Sequence, residues 1–167
     1  MAVVTQLSIS PGGIPKRAIR EARLTPLGLE GDLHAHPKFH GGPLQAVLVI
    51  TNESLDEMRA AGYDVYPGAL GENLTTVGLD RRDIRLGQRY RIGAQAIIEI
   101  TKMRVPCATL DIFNTNGAKI QKDIFDPKVK AGDPTSPRWG LAGFYASVAS
   151  TGLLFTNDII ELLDQAV

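Results

Sequence analysis

A mainly β domain of the α+β class, carrying a few short helices, is what this sequence predicts, and three observations carry the prediction. Seventeen glycines and ten prolines in 167 residues mark many turns, which favours short strands over long helices. Several short runs alternate, with Val3, Thr5, Leu7 and Ile9 on one side of the first and Ala96, Ile98 and Ile100 on one side of another. The length suits a single domain over residues 1–167, large enough to bury its own core.

Composition narrows the function classes. Hydrophobic and charged fractions of 44% and 22% are ordinary for a soluble globular protein. Lys+Arg and Asp+Glu balance at 18 each, so no basic excess points to nucleic acid or an anionic membrane as the main partner. Met1 to Gln6 lacks the basic and apolar parts of an export signal, and no apolar stretch approaches transmembrane length. With a single cysteine besides, the expected location is the cytoplasm.

In chain order, Val3 to Ser10 reads as a strand closed by the turn Ser10-Pro11-Gly12-Gly13-Ile14-Pro15. Ala18 to Leu24 reads as a half-exposed strand, and Gly28 to Asp32 opens a loop. Gly41-Gly42-Pro43 leads into the apolar strand Ala46 to Ile50. Thr51-Asn52-Glu53-Ser54 then caps a helix with Leu55, Met58 and Ala61 on one face and Gly62 as its stop. A second glycine-rich loop, Tyr66 to Leu74, enters a strand over Leu74 to Val77. Gln88 to Ile92 and Gln95 to Thr101 form a hairpin about Gly93-Ala94. Ala108 to Phe113 and Ala118 to Phe125 are short helices, and Asp126 to Trp139 is a mobile surface loop with Arg138 and Trp139 candidates to rim a pocket, although a lone tryptophan is more often packing. Phe144 to Ala149, a turn near Thr151-Gly152, and Ile159 to Leu163 close the chain in a β-like pattern.

The chemistry centres on Lys102-Met103-Arg104-Val105-Pro106-Cys107. As the only cysteine, Cys107 can form no internal disulfide, and a site of two or four cysteines is impossible within one copy. Pro106 suits the first position of a helix. The sulfur then lies near N–H groups at a helix start, with Arg104 three residues behind, and both features favour the thiolate that attacks electrophiles and binds soft metals. The competing reading is a buried cysteine acting as a small hydrophobe.

All three histidines, His34, His36 and His40, fall in one loop, where an extended backbone would put His34 and His36 on one face and His40 could complete a zinc or iron site. Gly28 with His34 and His36 also echoes the start of the cupin metal motif, without its acidic ligand. Consecutive Gly41 and Gly42 can approach a ligand closely or offer N–H groups to an anion, with Lys38 nearby. Asn73 has both donors and an acceptor for the amide edge of a heterocycle, or it bonds its own loop.

Taken together, Gly31-Asp32, His40-Gly41-Gly42-Pro43 with Ala46-Val47, Gly68 with Gly71-Glu72-Asn73-Leu74, and Arg104-Val105-Pro106-Cys107 resemble the MOSC family, domains similar to the C-terminal part of molybdenum-cofactor sulfurase and found also as stand-alone bacterial proteins. Gly143 to Val148 looks like the family's penultimate strand, and the resemblance covers roughly residues 18 to 163. It departs at Gly87-Gln88 and Asn157-Asp158, where the family often has Gly-Asp before a late strand, and the chain ends at Val167 without the C-terminal extension of some members.

The resemblance implies a β-barrel with short peripheral helices that binds the pterin-based molybdenum cofactor or carries sulfur for it. Cys107 would be the metal ligand or a persulfide carrier; Arg104, Lys102, Gly41 and Gly42 would meet the cofactor's phosphate and oxo groups. Glu72 and Asn73 would line the cofactor, Asn73 and His40 would face the pterin or reaction centre, and Asp32 would brace the His–Gly–Gly loop. Four functions follow: reduction of N-hydroxylated compounds with an electron-transfer partner, sulfur transfer from a separate cysteine desulfurase, a His34/His36/His40 metal site in a hydrolase or cupin-like oxygenase, and a binding module without turnover.

Overall fold

The computed structural model describes residues 1–33 and 41–163. Its strands are β1 (Ala2–Ile9), β2 (Arg17–Ile19), β3 (Glu21–Thr25), β4 (Gly28–Leu29), β5 (Val47–Thr51) and β6 (Leu74–Val77) in the first half. Then come β7 (Arg89–Ile92), β8 (Ala96–Met103), β9 (Phe144–Ser150), β10 (Gly152–Phe155) and β11 (Ile159–Leu162). The α-helices are short: α1 (Asn52–Ala60), α2 (Ile120–Ile124) and α3 (Pro127–Lys130).

Seven strands close into a barrel in the order β11-β7-β8-β9-β5-β6-β1, with β1 returning to β11 through Ala2↔Ile160 and Val3↔Ile159. The other half of β1 pairs with β2, and a second sheet, β10-β3-β4, stands beside the barrel. Closure removes the unpaired edges that an open sheet of this length exposes. Within the barrel β5 and β6 alone run parallel, because α1 carries the chain back between them.

Two apolar clusters sandwich β5, and its sequence shows why. Val47 and Val49 face the barrel interior with Val4, Leu7, Leu74, Ile98, Ile100 and Phe144. Leu48 and Ile50 face outward onto Leu55 and Met58 of α1, Leu110, and Ile120 and Ile124 of α2. A strand buried on both faces needs a continuous apolar run, and Val47-Leu48-Val49-Ile50 is one.

The helix expected after Thr51 forms, with the Thr51 hydroxyl accepting the Ser54 N–H at 3.1 Å. Ala61 is exposed as its C-cap, however, and Tyr63 and Val65 supply the buried contacts instead. The Asp126 to Trp139 stretch differs more from expectation. Asp126 caps α3, Val129 and Trp139 are buried, and the Trp139 indole N–H donates to the Ile84 carbonyl at 2.8 Å. Trp139 is therefore core, stacked edge-to-face on Phe144, so its packing reading holds and the pocket-rim alternative does not. The chain breaks at Thr151, beside the expected turn, but Gly152 to Phe155 after it is a strand of the second sheet that was not expected, and Gly28–Leu29 pairs with β3 where a loop was expected. Among the described residues no helix is long and apolar enough to cross a membrane.

Phe144 is fully buried in the barrel core and packs edge-to-face on Trp139. Phe144→Ala is expected to lower stability by about 3–5 kcal/mol, the range for deleting a buried aromatic ring, measured by urea denaturation with an unchanged m-value.

Candidate functional site

The barrel brings Cys107 to the mouth of a cleft. Where β8 ends, the Arg104 N–H donates to the Gly143 carbonyl at 3.0 Å and ties the outgoing chain to the start of β9. Cys107 then caps a 3₁₀ segment, Ala108–Phe113, in place of the expected α-helix, and its carbonyl accepts the Leu110 N–H at 3.0 Å. Pro106 precedes that cap rather than starting the segment. The sulfur makes no side-chain cap bond; it is 2.8 Å from the Thr109 hydroxyl. Cys107 is half-buried and lines a cleft with about 110 Å³ of free space, shared with Gly41, Gly71, Asn73, Arg104 and Tyr145. The buried small-hydrophobe alternative does not describe it.

Arg104 is only 6% exposed, yet it lines this cleft. Its guanidinium donates to the Leu70 carbonyl at 2.9 Å and the Ala142 carbonyl at 3.3 Å, so the cation is held by backbone oxygens of two loops. Burial pulls its pKa below the usual arginine range, and the negative ends of Tyr145, Cys107 and Glu72 oppose that pull. Tyr145, on β9, lines the cleft too, and burial raises its phenol.

The second glycine loop is built around Glu72. Its carboxylate is fully buried and accepts the Gly68 N–H at 2.7 Å and the Leu70 N–H at 3.2 Å. Burial pushes this carboxyl upward, while those N–H groups and Arg104 pull it down. Glu72 therefore stands behind the cleft wall and shapes the loop, rather than presenting its carboxylate to the cleft. Gly68 has a φ of +91°, and a Cβ there would overlap the Lys16 carbonyl oxygen, whose own residue donates its N–H to the Gly68 carbonyl at 2.8 Å. Only glycine permits that crossing of two chains.

Asn73 is also on the cleft wall, with its polar atoms engaged internally. Its Oδ1 accepts the Leu48 N–H at 3.1 Å, and its Nδ2 donates to Asp32 at 2.8 Å and to the Ser8 carbonyl at 3.2 Å. Asp32 accepts the Ser10 N–H at 3.0 Å and pairs with Lys16 at 2.5 Å. Asp32 thus braces the end of β1, Lys16 and Asn73. Lys16 lines the cleft and is a residue the sequence reading missed. Its signal was Gly12-Gly13-Ile14-Pro15 placed directly before a lysine, a stretch read only as a turn.

The remaining candidates divide between the cleft and its surroundings. Lys102 is exposed, its ammonium 5.6 Å from the Tyr145 ring centroid, outside the cleft lining. Gly41 lines the cleft, and Gly42, at φ +85°, begins the 3₁₀ turn Pro43–Gln45. His34, His36 and His40 lie outside the described residues. Among the described residues no group of three or more His, Cys, Asp or Glu is placed to hold a metal ion.

Comparison with known proteins agrees with this architecture. A sequence model described as the MOSC domain matches residues 36–161. Protein YiiM of Escherichia coli is 38% identical over 96 residues, covering 54% of this chain and 42% of that protein. A protein named reductase from Gibberella moniliformis is 29% identical over 144 residues, covering 83% of this chain and 23% of that one. The chain thus spans less than half the length of either relative. The crystal structure of YiiM from Escherichia coli superposes with a TM-score of 0.66 at 25% identity, over 99% of this chain and 71% of that one.

Two outcomes check the loop. Gly68→Ala is expected to cost about 2–4 kcal/mol, since it adds both backbone strain and overlap with Lys16, read by urea denaturation. Glu72 has a folded pKa raised from 4.5, so its contribution to stability is full below that value and declines as pH rises toward the raised one. The stability of Glu72→Gln relative to wild type is therefore expected to improve as pH is raised from 4.5, measured by denaturant midpoints across pH.

Proposed function

This chain belongs to the MOSC domain family, and from that premise we propose that its cleft binds the pterin-based molybdenum cofactor with the Cys107 sulfur as the protein's ligand to the metal. The observation that carries the proposal is a single cysteine, half-buried, whose sulfur lines a cleft beside a buried arginine. A thiolate is a soft donor suited to this metal. The donor set fits an anionic ligand as well: Arg104 uses two of its N–H groups on the Leu70 and Ala142 carbonyls, and a guanidinium has about five. When bound, the cofactor supplies two-electron redox chemistry; the protein binds, orients and shields.

The reaction we assign is reduction of an N-hydroxylated compound. An N–O bond breaks, two electrons and two protons enter, and an N–H group and water leave. A separate electron-transfer protein supplies the electrons. Ile14, Leu33, Leu48 and Leu70 give the cleft apolar walls, which suit a flat heteroaromatic body. The relative named a reductase is in keeping with this chemistry.

A second reading is favoured by one observation, the exposure around the sulfur: Val105, two residues before Cys107, is 58% exposed. A cysteine desulfurase could reach the thiol there and pass its sulfane sulfur to the Cys107 thiolate, forming an S–S bond and releasing the donor's thiolate.

Elemental analysis of protein made in a cofactor-competent host tests the first reading. Wild type is expected to carry stoichiometric molybdenum and Cys107→Ser almost none, with the two proteins unfolding at the same temperature when both are prepared without cofactor. Full metal content in the serine variant removes the ligand assignment. Incubation of wild type with a desulfurase and cysteine then decides the second, through a mass gain of one sulfur atom on Cys107.

A further inference from the structure

The neutral polar side chains on the cleft wall are Gln45, Asn73, Thr109 and Tyr145. Two of them are already committed. Asn73 uses its amide on Leu48, Ser8 and Asp32, and the Thr109 hydroxyl lies against the Cys107 sulfur. Among the described residues the Gln45 amide and the Tyr145 hydroxyl have no hydrogen-bond partner, although both side chains line the cleft. A few free polar groups on an otherwise apolar concave wall are what select and orient a ligand.

The fold brings these two residues to one side of the cleft. Gln45 closes the 3₁₀ turn Pro43–Gln45, and three residues later Leu48 on β5 pairs with Tyr145 on β9. The Thr101 hydroxyl bonds the Leu44 carbonyl and lies 3.2 Å from the Tyr145 carbonyl, tying that turn to β9. The Tyr145 ring is itself held, packed against the cluster that contains Leu48 and Leu70 and faced by the Lys102 ammonium. Burial raises the phenol, with Arg104 opposing and Cys107 adding, so the hydroxyl keeps its proton and stays a donor. A phenol offers one O–H, and an amide offers both N–H donors and an acceptor oxygen. Neither carries a charge, so the pair suits the uncharged polar edge of a flat ligand.

We propose that Gln45 and Tyr145 recognise the reacting end of the substrate: Tyr145 donates its O–H to the oxygen of the N–O group, and the Gln45 amide oxygen accepts an N–H carried on the adjoining carbon. The class this pair selects is an uncharged N-hydroxylated compound with an amino group next to the N–O group. Which bond breaks rests on the reductive reading above; which residues hold its two ends rests on the cleft wall.

Benzamidoxime and benzaldoxime are the probes. Both carry C=N–OH on a flat ring, and only the first has the amino group. Binding is measured by calorimetry without an electron donor, on protein from a cofactor-competent host whose molybdenum content is measured in the same samples. Tyr145→Phe removes the hydroxyl and keeps the ring, and is expected to weaken both probes about tenfold, as for one hydrogen bond. Gln45→Met keeps the length of the side chain. It is expected to weaken benzamidoxime about fivefold or more and to leave benzaldoxime at its wild-type affinity. A general loosening of the cleft would weaken the two probes alike. Wild-type affinities in folded Tyr145→Phe, an unchanged ratio of the two affinities in folded Gln45→Met, or wild type that binds neither probe overturns the assignment. The expected pattern in protein that never takes up molybdenum leaves the pair standing and removes the cofactor reading. Molybdenum held by wild type and lost in Cys107→Ser, with the pattern missing, removes the pair and leaves the cofactor reading.

Discussion

Asn73 ties together the three segments from which the cleft is built. Its backbone N–H donates to the Leu48 carbonyl at 2.9 Å, and its side-chain oxygen accepts the Leu48 N–H in return. Its carbonyl accepts the Ser8 N–H at 2.9 Å, and its side-chain N–H groups reach the Ser8 carbonyl and Asp32. β1, β5 and β6 therefore meet at one residue, each backbone group of the meeting point satisfied. An asparagine is needed because one side chain must both donate and accept in a site that excludes water.

Polar burial is concentrated around that knot: Lys16, Glu72, Asn73, Ser8, Ser10 and Arg104 are all buried. Buried charges of this kind contribute little net stability and lose a great deal when one partner is removed. Their consistent feature is backbone anchoring. Glu72 holds N–H groups, Arg104 holds carbonyls, and Lys16 is fixed through its own main chain. Such groups keep their positions without a ligand, which is the preorganisation that binding and catalysis use. The sulfur is the contrasting case: half-buried, on a short 3₁₀ segment, bonded only to an exposed threonine among the described residues.

Sequence reasoning succeeded where a property is local. The alternation of β1 and β8, the two-faced apolar run of β5, the Thr51 cap and the glycine-marked turns each depend on residues a few positions apart. It failed where a long-range partner decides. The Asp126 to Trp139 stretch is rich in loop-forming residues, yet its Trp139 finds the Ile84 carbonyl and Phe144 and becomes core. Gly152–Phe155 is a strand because β3 lies alongside it, a pairing across more than a hundred residues that no short window contains.

By itself, then, the chain's sequence determined a mainly β architecture, the family, and a lone cysteine following a strand beside an arginine, because periodicity, turn chemistry and motif order are written in neighbouring residues. Tertiary structure alone decided that the barrel closes through β1 and β11, that Glu72 faces inward, that Lys102 stands outside the cleft and that Lys16 stands within it. These are questions of which loop crosses which. They are settled by contacts such as Gly68 beneath the Lys16 carbonyl, where two segments some fifty residues apart fit only once the strands have paired.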